Sequence, residues 1–157
     1  MTMKAFVLTR YGGPEAAELR DVSRPGAGRG EVLVRVHAAG LNPVDFKTRQ
    51  GKLRVVQRYA LPTVMGNELA GVVEQCGEGV TLFAPGDRVF ARMPKGFMGA
   101  FAQYAVVPEN LLARMPASLD FAAAAGVPLA GLTALQALRD ELMLRKGSRV
   151  FIPGGAG

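Results

Sequence analysis

Residues 147–157 read GSRVFIPGGAG. Arg149, Val150, Phe151 and Ile152 form a short strand-like run, and Pro153, Gly154, Gly155, Ala156 and Gly157 follow as a glycine-rich turn. A dinucleotide-binding unit opens this way: a strand, glycines that let backbone approach a pyrophosphate, then a helix whose first amides face the phosphates. That helix would begin after residue 157, so the reading predicts a chain cut just where a second domain starts. Alone, GGAG is a weak signal, and its weight comes from what precedes it.

What precedes it is β-rich. MKAFVLT (3–9), EVLVRVHAAG (31–40), ELAGVVEQCG (68–77), DRVFARM (87–93) and GAFAQYAVV (99–107) cluster β-formers between Gly and Pro. PGAGRGE (25–31) is a turn cluster. Many short strands with turn punctuation predict a small, partly open barrel. After Pro116 the chain becomes rich in Ala and Leu. Ser118 is suited to cap a helix, with Asp120 in its first turn. Pro128 breaks or restarts the run. From Thr133, Leu135, Leu138, Leu142 and Leu144 recur at helical spacing, and Gly147 stands as the stop.

Composition excludes several classes. At 49% hydrophobic and 20% charged the 157-residue chain reads as globular. The net charge of +6 comes from cations that are scattered rather than run together, which argues against nucleic-acid binding. A lone Cys76 supports neither a disulfide framework nor a structural zinc site, and reads as a passive buried or half-buried thiol. No apolar stretch approaches the ~18 residues of a membrane span, and the N-terminus has no cleavable leader pattern. A cytoplasmic location with no membrane partner is the expectation.

AAGLNPVDFKTRQGK (38–52), LPTVMGNELAGVVEQCGEGV (61–80), PGDRVFAR (85–92), GAFAQYAVVPENLLARMP (99–116), AAAAGVPLAGLTALQAL (122–138) and FIPGGAG (151–157) are similar, in this order, to the medium-chain dehydrogenase/reductase superfamily. They most resemble its zinc-free quinone oxidoreductase and enone (2-alkenal) reductase branch. The resemblance covers nearly the whole chain. It implies a mainly β GroES-like partly open barrel over residues 1–122. Residues 123–157 would then be the helix, first strand and glycine turn of a truncated α/β Rossmann domain. It further implies NADPH as cofactor, with NADH the alternative, a small quinone or enone substrate, and a homodimer for the whole protein. Residues 1–157 alone would be inactive.

The resemblance also locates the site. Zinc members of the superfamily hold their metal at positions that match Asn42, Asn67 and, less securely, Leu129. Neutral amides and an alkyl chain are poor zinc ligands, so no metal is expected. His37 alone makes no metal site and reads as a structural or surface residue. Without a Lewis acid, alcohol oxidation is disfavoured, whereas a conjugated carbonyl needs only positioning and a donor near the oxygen that becomes an enolate. Asn42 and Lys47 are the implied catalytic and cofactor-side residues, and lysine rather than the tyrosine of many quinone oxidoreductases favours the enone side. Thr133, Gly154, Gly155, Ala156 and Gly157 complete the implied cofactor site. Phe46, Tyr59, Phe101 and Leu129 are candidates for an apolar substrate slot.

Other roles stay open from sequence alone. Lys47 would equally solvate a surface helix, and Asn42 would equally serve as a turn residue before Pro43. Thr133 fits a helix N-terminal hydroxyl, and the aromatics fit a barrel core. Asp45 reads as a structural carboxylate paired with a nearby Arg rather than a general acid, and Glu68 has the same status. The alternatives of another class are a non-catalytic GroES-like interaction or self-associating module and, less favoured, a zinc alcohol dehydrogenase.

Overall fold

The computed structural model describes residues 1–155. Two antiparallel sheets carry the fold. The smaller holds β1 (Thr2–Leu8), β2 (Ala17–Ser23) and β4 (Thr63–Val64), in the order β2-β1-β4. The larger holds β3 (Glu31–Ala39), β5 (Glu68–Cys76), β6 (Arg88–Arg92), β7 (Tyr104–Pro108) and β8 (Leu112–Arg114), in the order β7-β3-β5-β6-β8. The helices are α1 (Pro43–Arg49) between β3 and β4, then α2 (Phe121–Ala125) and α3 (Pro128–Leu135) after the last strand.

The β-forming runs became strands because each alternates a core side with a solvent side. Along β1 the odd-numbered Met3, Ala5 and Val7 are buried while Lys4 and Phe6 face outward. The central strands β3 and β5 bury Val32, Val34, Leu69 and Val73 in one cluster with Val89 and Val107. The stretch Phe101–Gln103 joins the sheets. Phe6 N–H donates to the Phe101 carbonyl at 2.8 Å, Phe101 N–H to Met65 at 2.9 Å, and Val36 N–H to Gln103 at 2.9 Å. This seam curls the sheets into the expected partly open barrel. It also shortens the seventh strand, because residues 101–103 give their hydrogen bonds to both sheets.

Three expectations change beyond the barrel. Asp120, not Ser118, caps α2, its carboxylate accepting from Ala123 N–H at 2.7 Å. A carboxylate two residues closer to the amides outcompetes the hydroxyl. The Leu-rich segment forms α3 and then a wider π-type turn over Gln136–Glu141, with Leu135, Leu142 and Leu144 exposed rather than packed. The backbone leaves the helix at Met143, whose φ of 46° is left-handed, ahead of the expected stop at Gly147. Residues 149–152 are not a strand and stand exposed. A strand's N–H and C=O groups need a neighbouring strand, and no strand among the described residues runs beside this segment.

Leu69 is fully enclosed at the centre of the larger sheet. We expect Leu69→Ala to cost about 2–5 kcal/mol, the transfer and cavity cost of a buried leucine. Urea unfolding should show this as a lower midpoint with an unchanged slope.

Candidate functional site

The site is built where β3 ends, α1 begins, β5 begins and α3 begins. Pro43 stands at the first position of α1, where its missing N–H costs nothing. The carboxylate of Asp45 accepts from Asn42 N–H at 2.8 Å, closing the first turn. Its other oxygen accepts from Asn67 Nδ2 at 2.7 Å. Asn42 turns its own amide away from the helix, and Nδ2 donates to Glu68 Oε1 at 2.6 Å. Glu68 Oε2 accepts from Leu129 N–H at 2.7 Å, at the start of α3.

Asn42, Asp45, Asn67, Glu68 and the Leu129 backbone thus form two linked carboxylate–amide pairs. Asp45, Asn67 and Glu68 are buried, Glu68 to 1% exposure. Gly40 makes the arrangement possible. A Cβ there would strike the Glu68 carboxylate and approach the Ala125 carbonyl to 2.8 Å. The partner expected for Asp45, an arginine, is replaced by the Asn67 amide. Burial pushes the Asp45 carboxyl above its ordinary 3.8, opposed by the hydrogen bonds from Asn67 and Asn42 and helped by the neighbouring charge of Glu68.

Two cavities open beside this network and share Val44 and Arg92. One, of about 190 Å³, is bordered by Thr48, Tyr59, Asn67 and Lys95. The other, of about 230 Å³, is bordered by Leu129, Thr133 and Gln136. Tyr59 N–H donates to the Tyr11 hydroxyl at 3.1 Å, which anchors the loop that carries it. The Tyr59 hydroxyl is raised by burial and lowered by the charge of Arg92.

Of the residues singled out in the sequence, Asn42, Tyr59, Leu129 and Thr133 meet at this network and its cavities. Thr133 Oγ1 donates to the Leu129 carbonyl at 2.8 Å, a bond within α3, so the helix holds this hydroxyl itself. Lys47 is exposed and forms no ion pair among the described residues. Phe46 is also exposed, at 45%. Phe101 packs in the core between the sheets, against Gly66, rather than in the slot. His37 lies on the surface with its ring stacked on Phe121, 4.3 Å between centroids. Val44, Arg92 and Lys95 were missed. Nothing in their spacing marks them, since only the pairing of β5 with β6 brings position 92 opposite position 68.

The donor set at positions 42, 67 and 129 does not fit zinc. Two neutral amides are weak ligands beside the thiolate, imidazole or carboxylate that zinc takes, and the third position presents an alkyl side chain. Gly154 adopts a φ of 73°, which disfavours other residues, with open space where a Cβ would stand, and Gly155 continues an exposed turn. Ala156 and Gly157 lie outside the described residues.

Residues 28–117, more than half of the chain, match the family model described as the alcohol dehydrogenase GroES-like domain, and the chain belongs to that family. The chain is 42% identical to the NADPH-dependent alkenal/one oxidoreductase, chloroplastic, of Arabidopsis thaliana, over 99% of this chain and 42% of that protein. It is 35% identical to the quinone oxidoreductase of Rattus norvegicus, over 99% of this chain and 46% of that protein. An alcohol dehydrogenase superfamily protein from Novosphingobium aromaticivorans superposes with a TM-score of 0.92 at 39% identity, covering 99% of this chain and 47% of that one. The chain therefore spans less than half the length of these relatives. No helix among the described residues is long and apolar enough to cross a membrane.

The Asp45 network sets a pH dependence. Because the folded-state carboxyl titrates above 3.8, the unfolded chain gives up this proton first as pH rises. The stability linked to Asp45 is therefore full below 3.8 and is lost as pH climbs through the folded value. Carboxyl-carbon NMR should find the Asp45 midpoint above 3.8. Relative to Asp45→Asn, the wild-type urea midpoint should fall over that interval; a midpoint at or below 3.8 would contradict the assignment.

Proposed function

We propose that this chain is the substrate-binding half of an NADPH-dependent, metal-free reductase of α,β-unsaturated carbonyls or quinones. Residues 1–122 form its GroES-like domain, and residues 123–157 enter a nucleotide-binding domain. The relatives named above support the reaction class. The observation that carries the placement is the position of Val44. It borders both cavities and lies on α1 between Asn42 and Lys47.

When bound, NADPH would supply the hydride; Leu129 and Thr133 would border its nicotinamide end, and Gly154 and Gly155 would hold its pyrophosphate. The chain's own residues do the rest. Val44 and Tyr59 flank the conjugated carbonyl and exclude water from its plane. Glu68 fixes the Asn42 amide, so its orientation is set before substrate arrives. Lys47 stands three residues beyond Val44, on the neighbouring strip of the helix. Its long unpaired side chain brings an ammonium to the oxygen that gains charge, and solvent protonates the α-carbon. Negative charge on an enolate oxygen is stabilised best by a compact cation and a fixed amide donor together.

In the full-length gene product, Lys47→Ala should lower kcat for an enone about tenfold or more, the loss of one charged stabiliser in the transition state. Steady-state kinetics with cyclohex-2-enone and NADPH would measure it. Unchanged kcat and KM would remove Lys47 from the reaction.

A further inference from the structure

The two cations that line the Tyr59 cavity make no ion pair among the described residues. Arg92 ends β6, is half-buried, borders both cavities, and makes no hydrogen bond or ion pair among the described residues. Lys95 follows in the Pro94–Gly96 turn and borders the same cavity, also unpaired among the described residues. The segment that supplies the opposite wall, through Thr48, Leu53, Val56, Gln57 and Tyr59, also carries cations, none of which lines the cavity. Between Phe46 and Asn67 there are five cations, Lys47, Arg49, Lys52, Arg54 and Arg58, and not one Asp or Glu.

The carboxylates closest in the fold are unavailable to them. Asp45 is taken up by Asn42 and Asn67, and Glu68 by Asn42 and Leu129. A guanidinium carries five donors in a planar fork, and those of Arg92 are open to the cavity rather than spent on protein acceptors among the described residues. The partner that matches that fork is a planar anion.

Resting on the reductase reading above, we propose that the substrate of this site is an acidic conjugated carbonyl, its carboxylate held by Arg92 and Lys95. The carboxylate sits at the cation pair, and the conjugated carbonyl extends between Val44 and Tyr59 toward the second cavity. Binding energy from the remote acid then positions the β-carbon. Arg92 and Lys95 are specificity-determining residues in this arrangement.

The test compares trans-4-oxopent-2-enoate with its methyl ester, which differ in one charge, on the full-length gene product with NADPH. At low salt the acid should show a KM at least about tenfold below the ester's, the worth of a charge-assisted bond. Raising ionic strength should erase that advantage, since the groups at the mouth are screened. Arg92→Gln with Lys95→Gln should raise the acid's KM toward the ester's, and Arg92→Lys should restore part of it. Equal KM values at low salt, with the ester turned over, would overturn the inference and leave the reductase reading standing. A raised KM for NADPH in the double variant, with the acid-to-ester ratio unchanged, would assign the cations to the cofactor and overturn it as well. If neither compound is reduced, the reductase reading fails. Ligand-observed NMR binding of the acid against the ester then decides the anion site by itself: preferential, salt-sensitive binding of the acid supports it, and equal binding overturns it.

Discussion

The geometry of the site hangs on one buried carboxylate. Glu68 stands at the first position of β5, and its two oxygens take the Asn42 amide at 2.6 Å and the Leu129 N–H at 2.7 Å. A carboxylate at 1% exposure without hydrogen bonds would be driven to its neutral form or to the surface. These two contacts make its burial tolerable, and they tie the start of α1 and the start of α3 to the same strand. Val44 lies just inside α1 and Leu129 just inside α3, so the walls of both cavities are set by the reach of one side chain. Gly40 belongs to the same device, because only the absence of a side chain there leaves Glu68 its place.

The network is also a choice about charge. Positions that resemble metal-ligand positions elsewhere in the superfamily carry amides here, and each amide faces a carboxylate from a neighbouring position. Neutral donors satisfy Asp45 and Glu68 without any cation among their hydrogen-bond partners. Two carboxylates in one buried cluster repel each other, and the Asp45 carboxyl is displaced upward in part for that reason. The interior therefore holds the acids and the mouth holds the cations. Had the acids instead formed salt bridges to Arg92 and its neighbours, both would be spent on structure.

Much of this was legible in the residues. Alternation of β-formers between Gly and Pro located the cores of β1, β3, β5, β6 and β7, since half-buried strands must alternate. β2, AELRDVS, escaped because it lies at the edge of its sheet and carries charges on its exposed side. The capping of α1 by Asn42 and Asp45 went unread, since Asp45 was assigned to an arginine and not to the amides it accepts from. Residues 149–152 have the composition of a strand and are not one, because strand formation is decided by a partner that composition cannot supply. The site divided along the same line. Asn42 and Leu129 were found by motif, whereas Arg92 and Lys95 look like any other scattered cations until β6 is laid beside β5.

That last point bears on how net charge should be read. A balance of +6 spread along 157 residues carries no signal as a run, which argues against nucleic acid. Folding changes the count that matters. Lys4, Arg20, Arg24, Arg114 and Arg139 are matched by acids in exposed or half-exposed pairs, which contribute little to stability but cancel their fields locally. The acids next to Arg92 in the fold are instead sequestered by amides. Arg92 and Lys95 have no such pair among the described residues, and both line the cavity between the segment 46–67 and the turn after β6. A field of that kind draws anions toward a low-dielectric opening and is felt by any charged ligand before contact. Part of the chain's excess charge thus stands at one opening, beside two carboxylates whose hydrogen-bond partners are amides rather than cations.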